Sequence, residues 1–361
     1  MGYDLAMINI RPGMDEDKEG ILALVAQVFG KEQAERAAKR WHWQWHADPR
    51  LESPGYRGVV AVWQDQVIAN LACIPAGLYI EGEPVEAYWC VDVLTHWGLT
   101  RQALREYKRN RDAAGADLSR GIAAALLDHP SAGPIQLAKH IADPMKTIAL
   151  RIGFKELPHS GNFSRRLSFR QSLRASVGAL PGTLIAAVAD LAVARIPRAK
   201  LAVERFDGPF GAQFDQFWSR IKGSYTAIAL RDAATLNWRY HAHPDTRYIV
   251  LVVPDNGEIR GYLVLSTFPR GPRLRADIVD LVTMPDDGRA IDDLVTTALR
   301  VARAEGADRI GCFATGIPLG TRIRRLGFEP RLKKSKKPQP LITRRLPVED
   351  VYATAGDGDG G

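Results

Sequence analysis

The strongest constraint on how this chain folds is that it repeats itself. Trp43–Pro49 reads WQWHADP and Trp238–Pro244 reads WRYHAHP, with four of seven positions identical and a fifth aromatic in both. Val91–His96 (VDVLTH) has a counterpart in Val279–Met284 (VDLVTM), Gly115–Ser119 (GADLS) in Gly306–Ile310 (GADRI), and Leu150–Pro158 (LRIGFKELP) in Arg324–Leu332 (RRLGFEPRL). The partners are 195, 188, 191 and 174 residues apart and keep their order. Ordered self-similarity predicts one structural unit used twice, with about 17 extra residues between Gly115 and Gly153 in the first copy. A chain of 361 residues has room for two cores of ordinary size.

The second copy is the more legible. Phe210, Phe214, Phe217 and Ile221 recur at helical spacing. Tyr248–Val253 and Ile259–Ser266 flank Asp255-Asn256-Gly257, a hairpin signal. A strand over Ala276–Thr283, a helix over Ile291–Glu305 closed by Gly306, a strand over Asp308–Ala314 and a short helix over Leu319–Arg325 follow. The first copy reads similarly: helices over Glu16–Phe29 and Gln33–Trp41, a hairpin over Gly58–Pro75, a strand over Ala87–Thr95, a helix over Thr100–Ala114 and a strand over Ala116–Ser119. The predicted class is α/β (α+β), two domains from an internal duplication, each a mixed, mostly antiparallel sheet flanked by helices. Boundaries are expected at 1–165 and 204–348, with a basic and apolar linker at 166–203 and a flexible tail at 349–361.

This order, with a short helix running into Arg151-Ile152-Gly153-Phe154 and Arg325-Leu326-Gly327-Phe328, resembles the GNAT acyltransferase fold. The resemblance covers both halves. Asn237-Trp238-Arg239-Tyr240 with Pro244 and Tyr248 is similar to the second halves of tandem GNAT proteins tied to bacterial envelope and lipid pathways. It implies acyl-CoA as co-substrate. In that family the loop after the central strand opens a helix whose free N–H groups hold the CoA pyrophosphate, as helix N-termini hold anions generally. The family pattern is (Gln/Arg)-x-x-Gly-x-(Gly/Ala). In the first copy Gly98 and Thr100 fit its two small positions, Thr95 stands where Gln or Arg belongs, and the loop is several residues shorter. Val93, Leu99 and Arg101 complete this candidate cofactor set. Gly121, in Arg120-Gly121-Ile122-Ala123, is a rival loop. In the second copy Asp286, Asp287 and Asp292 crowd the helix start and would repel a pyrophosphate. That copy is expected to be degenerate for the cofactor.

N-acyl transfer from a thioester needs a base for the amine and an acid for the departing thiolate. The candidates are Asp92, within the central strand and expected to be partly buried, His96 at its end, and Tyr88 as a hydroxyl. Trp43, Trp45, Trp238, Arg239 and Tyr240 could rim an acceptor site, or the repeated W-x-aromatic-His-Ala-x-Pro could be a shared packing element. His42 and His46 are spaced i, i+4 but lack an evident third ligand, so no metal is expected.

Charge is local. Arg331–Arg345 holds seven cations and no acid, and Arg165–Arg174 holds four and no acid, within a net charge of +8. Such patches suit phosphates on a membrane surface or cofactor. Nucleic acid is not expected, because no recognition motif accompanies the charge. Val177–Ile196 is mostly apolar and could pack across both copies or lie in a membrane interface. Three cysteines without CxxC spacing argue for a reducing compartment. The first twenty residues show no leader pattern. The expectation is a cytoplasmic acyltransferase, peripheral at the inner membrane face, acting on a small-molecule or lipid amine. Ceramide-synthase-like acylation of a sphingoid base is its most concrete version, and a decayed binding or scaffold module is the alternative.

Overall fold

Two apolar runs, β2 (Gly58–Trp63) and β3 (Gln66–Pro75), meet through Gln64 and Asp65, whose φ angles of 50° and 57° are those of a primed hairpin turn. Asn256 and Gly257 do the same between β12 (Tyr248–Asp255) and β13 (Glu258–Arg270), with φ of 50° and 88°. The computed structural model describes residues 8–109, 118, 121–170, 185, 188–190, 195–331 and 340–358. They form two units. Unit 1 comprises Met1–Gly77, Glu86–Glu156 and Ile342–Pro347; unit 2 comprises Leu78–Val85, Leu157–Leu341 and Val348–Gly361.

Unit 1 holds a seven-stranded sheet in the order β1-β2-β3-β6-β7-β17-β8. Its further strands are β1 (Asn9–Pro12), β6 (Ala87–Thr95), β7 (Ile135–Ala138), β8 (Lys155–Glu156) and β17 (Ile342–Arg344). Helices α1 (Lys18–Phe29), α2 (Lys31–Trp45), α3 (Trp97–Arg109), α4 (Ile122–Asp128) and α5 (Asp143–Arg151) accompany them. Unit 2 holds a seven-stranded sheet in the order β10-β12-β13-β14-β15-β9-β16. Here β9 is Gly161–Arg166, β10 Glu204–Phe206, β14 Arg273–Thr283, β15 Arg309–Ala314 and β16 Glu329–Pro330. Its helices are α6 (Ala212–Ile221), α7 (Ala233–Leu236, continued by a π turn over Asn237–His241), α8 (Gly288–Ala304) and α9 (Ile317–Arg325). A small sheet, β11-β4-β5, completes the unit from Ala227–Ala229, Leu78–Ile80 and Glu83–Val85.

The two large sheets share one strand order, and in each a strand from the other half of the chain fills the sixth place. β9 precedes the second copy yet pairs with β15, from Arg166↔Arg309 to Gly161↔Ala314. β17 follows that copy yet pairs with β7, from Ile342↔Ala138 to Arg344↔Gln136. The units therefore cross the boundaries at 165 and 204–348 expected from sequence. The strand expected over Ala116–Ser119 falls on residues of which only Leu118 is described, and the parallel neighbour of β6 is β7 instead. Most of Thr183–Ile196 also lies outside the described residues; Ile185 and Val188 within it are 50% and 71% exposed.

Helix α8 shows how pattern becomes packing. Ile291, Leu294, Val295, Ala298, Leu299 and Ala302 form a continuous buried stripe against β12, β13 and β14. Each fully buried Leu, Val or Ile contributes about 1.5–3 kcal/mol. The helix starts at Asp287, whose carboxylate accepts from the Ala290 N–H at 3.0 Å.

Candidate active site

In unit 1 the parallel ladder between β6 and β7 runs from Ala87↔Ile135 to Trp89↔Leu137 and stops. The remaining residues of β6, Cys90–Thr95, run on beyond it. Within that stretch the β3–β6 register jumps from Ala72↔Val91 to Asn70↔Leu94, so Leu71 alone faces both Asp92 and Val93. This bulge places Asp92 at φ 47°, a region that non-glycine residues seldom occupy. Its carbonyl accepts from Asn70 Nδ2 at 3.3 Å, and Asn70 Oδ1 accepts from the Tyr56 hydroxyl at 2.6 Å. Asp92 is exposed, which corrects the expectation of a partly buried carboxylate. Bulges re-aim side chains in this way, and left-handed non-glycine residues gather at sites where function holds them.

Only His96 separates the strand from α3. Its Nδ1 accepts from the Leu99 N–H at 3.0 Å, and its carbonyl accepts from the Thr100 N–H and hydroxyl, both at 2.9 Å. His96 is thus the helix cap, and the bond to Nδ1 puts the neutral ring's proton on Nε2. Thr100 is buried and turned back toward the strand end; it does not face an incoming anion. Gly98 lies in the first turn of α3. Trp97 is 72% exposed, with the Arg101 guanidinium 5.9 Å from its ring. Tyr88 lies lower on β6, where its hydroxyl accepts from Arg57 at 2.5 Å and donates to Glu86 at 3.1 Å. Burial raises the pKa of this phenol, which keeps it a proton donor at neutral pH. The rival Gly121, at φ 91°, caps a helix of seven residues.

Unit 2 has the same frame, filled by its own chain. Parallel pairing of β14 with β15 ends at Ile278↔Cys312. Beyond it the carbonyl of Val279 accepts from the Gly356 N–H at 2.7 Å, that of Leu281 from the Tyr352 hydroxyl, and that of Thr283 from the Tyr225 hydroxyl at 2.6 Å. The described part of the segment read as a flexible tail, as far as Gly358, therefore lies along β14, with Val351, Ala353 and Asp357 buried. Its glycine is required: a Cβ on Gly356 would stand 2.4 Å from the Tyr240 hydroxyl. At the start of α8, Asp287 occupies the Ala290 N–H and pairs with Arg260, while Asp292 pairs with Arg322 at 2.8 Å. A cavity of about 450 Å³ remains beside the tail, lined by Tyr225, Asp286, Thr315, Arg322, Arg325 and Tyr352 among others. These features stand against a pyrophosphate at this helix start.

The counterpart of Asp92 diverges as well. In unit 2 the unpaired bulge residue is Val279, one position before Asp280. Asp280 is fully buried and binds Arg231 Nε at 2.8 Å, accepting also from the Tyr240 and Tyr262 hydroxyls at 3.1 Å. Asp357 binds Arg231 at 2.8 Å and Arg239 at 3.2 Å.

The expected acceptor residues are packing residues. Trp43 and Trp45 are buried on α2, and Trp45 and Trp41 meet the Tyr56 ring at 4.7 and 5.3 Å. Trp238, Arg239 and Tyr240 are buried in unit 2. The repeated aromatic motif closes a core in each unit rather than rimming a site. Sequence reasoning missed Arg57 and Glu86, which hold Tyr88; the charged pair flanking the hairpin and strand was the available signal.

Residues 9–109 match the family model of the acetyltransferase (GNAT) domain. This stretch, 101 of the 361 residues, is similar to a GNAT acetyltransferase domain and belongs to unit 1 apart from Leu78–Val85. The chain is similar in fold to a GCN5-related N-acetyltransferase from Anabaena variabilis (14% identity, TM-score 0.58, covering 94% of this chain and 72% of that one). It is similar to a GCN5-related N-acetyltransferase from Kribbella flavida (14% identity, TM-score 0.52, with the same 94% and 72% coverage). It is also similar to an N-myristoyltransferase from Saccharomyces cerevisiae with bound myristoyl-CoA (10% identity, TM-score 0.57, 96% and 83%). No curated protein matches. By its GNAT domain the chain is an acyltransferase with acyl-CoA as co-substrate. Among the described residues, no helix is long and apolar enough to cross a membrane.

Proposed function

We propose that unit 1 is the working site of an acyl-CoA-dependent N-acyltransferase. One observation carries this reading: within the stretch matched to the GNAT domain, β6 leaves β7 at Trp89 and runs directly into the start of α3. The residues there fit the cofactor. The N–H groups of Trp97 and Gly98 lie at the helix start, and Arg101, Arg105 and Lys108 on α3 outnumber Glu106. Val93, Thr95, Gly98, Leu99, Thr100 and Arg101 are the residues that would hold acyl-CoA, which supplies the activated thioester. Thr100 contributes by fixing the strand–helix junction. The exposed carboxylate of Asp92 takes the proton of the acceptor ammonium, and the Tyr88 hydroxyl is held protonated by its surroundings. His96 orients the helix start.

The acceptor in this reading is an amine on a lipid or envelope precursor, met at a membrane surface; sphingoid-base acylation is the most concrete case. The exposed apolar residues Ile185 and Val188 support it, as does the bound myristoyl-CoA of the yeast neighbour.

Calorimetric titration with acetyl-CoA, palmitoyl-CoA below its micelle concentration, and free CoA tests the reading. Saturable binding with preference for the long chain is the expected result. Absence of binding to all three by folded protein would favour the second reading, a binding module, which the His96 ring seated on the Leu99 N–H supports. Asp92→Asn checks the base. Asparagine tolerates the left-handed conformation, so the fold should persist while turnover falls about 100–10,000-fold. Unchanged turnover across pH would remove Asp92 from the mechanism.

A further inference from the structure

Two of the three cysteines stand opposite each other in the middle of the unit 1 sheet. Cys73 on β3 is in register with Cys90 on β6. Pairs along an antiparallel ladder alternate between hydrogen-bonded and non-hydrogen-bonded. The Ala76 N–H bonds to the Ala87 carbonyl at 2.8 Å, which makes Ile74↔Trp89 a bonded pair and Cys73↔Cys90 a non-bonded one. The Cys73 N–H accordingly turns the other way, to the Arg57 carbonyl at 3.0 Å. Non-hydrogen-bonded pairs are the closer kind, with Cα atoms about 4.5 Å apart, inside the roughly 4.4–6.8 Å that a disulfide spans.

Directly opposite residues of a ladder leave the sheet on the same face, and the two cysteines belong to one buried cluster. Both are free thiols. The Cys73 thiol is pushed up, first by its hydrogen bond to Cys90 and next by burial, so it keeps its proton and shares it with the partner sulfur. Cys90 is the more accessible of the two, 6% against 1% exposed. Cys312 provides the contrast within the same chain. It is buried in unit 2, burial pushes its thiol up to about 12, and its ladder neighbours are Ile278 and Phe163.

We infer that Cys73 and Cys90 form a redox modification site, closed to a cross-strand disulfide by a peroxide and reopened by a small thiol. The Cys90 sulfur attacks one peroxide oxygen and the O–O bond breaks. Sulfenic acid forms, and the thiol proton leaves with the other oxygen as water. The Cys73 sulfur then attacks the Cys90 sulfur. The S–S bond forms, and the sulfenic hydroxyl leaves with the Cys73 proton as a second water. Two electrons pass from the thiols to the peroxide. Burial slows the first step. The register favours the second, because the resolving thiol already stands opposite the sulfur it must attack. The bridge lies one pair before Ala72↔Val91, the last regular pair ahead of the bulge at Asp92, and so pins the register on which that bulge is built. The modification itself does not depend on acyl transfer or on cofactor binding.

The test uses the full, reduced chain with excess hydrogen peroxide, then alkylation with N-ethylmaleimide in denaturant and digestion with trypsin. Gly58–Arg101 carries both cysteines and has no Lys or Arg before its last residue, so one tryptic peptide reports the pair. The expected product is this peptide unalkylated and lighter by two hydrogen atoms, with Cys312 still alkylated. Two of the three thiols are thus lost, and dithiothreitol restores both. Cys73→Ala removes the resolving thiol and is expected to leave a sulfenic acid at Cys90 that dimedone traps. Should that variant not fold, the parent's peptide decides alone. The inference is overturned if all three thiols of the peroxide-treated parent still alkylate. It is equally overturned if the Gly58–Arg101 peptide gains oxygen instead of losing hydrogen, if its cysteines join two chains rather than each other, or if Cys90 of folded Cys73→Ala takes no dimedone.

Discussion

Replacing Asp357 with alanine is expected to cost unit 2 about 3–5 kcal/mol, the usual range for leaving a buried charge without its partner. Arg231 and Arg239 are both essentially inaccessible to solvent. Asp357 accepts from Arg231 Nη2 at 2.8 Å, Arg239 Nη1 at 3.2 Å and the Thr354 N–H at 2.8 Å. Nε and Nη2 of Arg239 are buried without a hydrogen-bond partner among the described residues, so the Asp357 carboxylate is the main compensation for that cation. Removal leaves two guanidiniums sharing Asp280. The change also releases the tail from β14, since the Gly356–Val279 bond adjoins the lost anchor. At about 2–4 °C per kcal/mol for a unit of this size, thermal unfolding of unit 2 should shift down by about 6–20 °C. A loss under about 1 kcal/mol, within the range of an ordinary surface change, would mean that the tail does not seat there.

The same carboxylate sets an acid limit. The two arginines hold Asp357 below the ordinary carboxylate range, against the opposing effect of burial. A depressed folded-state pKa contributes stability that is complete above the unfolded value and is lost as pH falls through the folded one. The parent protein should therefore lose stability below about pH 4, and the alanine variant should show a shallower acid dependence. Equal slopes in the two proteins would contradict the ion cluster.

Local patterns were readable where local chemistry decides. The Asn-Gly turn, the α8 stripe and the strand ahead of α3 follow from residue type and spacing. The exchanged strands do not. Gly161–Arg166 and Ile342–Arg344 look like the closing strands of their own copies, and nothing in their composition states which sheet they join. Pairing over such separations is decided by the whole packing. The tail misled for a related reason. Gly-Asp-Gly-Asp reads as solvent-loving chain, yet glycine permits the close approach to Tyr240 and aspartate answers two buried arginines. The shared Val-Asp of Val91–His96 and Val279–Met284 concealed a difference that one bulge position creates, exposing Asp92 and burying Asp280. The aromatic repeat could be read either as an acceptor rim or as packing, because rings at fixed spacing suit both; in the structure these rings are buried.

Gly98→Asp should separate stability from binding. An added Cβ at Gly98 meets His96 Cε1 at 3.4 Å and Nδ1 at 3.7 Å, so a side chain can be accommodated. A carboxylate in the first turn of α3 favours the helix by about 0.3–1 kcal/mol through the helix dipole, and the variant should melt no lower than the parent. Toward a pyrophosphate the same charge acts oppositely. Two unit charges about 4 Å apart repel by about 1–4 kcal/mol between bulk water and a protein surface, a loss of about 5–700-fold in acyl-CoA affinity at about 1.4 kcal/mol per decade. Unit 2 already carries this arrangement, with Asp287 seated at the start of α8. Gly98→Ala, equal in backbone effect but uncharged, should bind nearly as the parent does. Calorimetric titration of the three proteins with one acyl-CoA decides the matter: equal affinity in Gly98→Asp and the parent would move the cofactor away from α3.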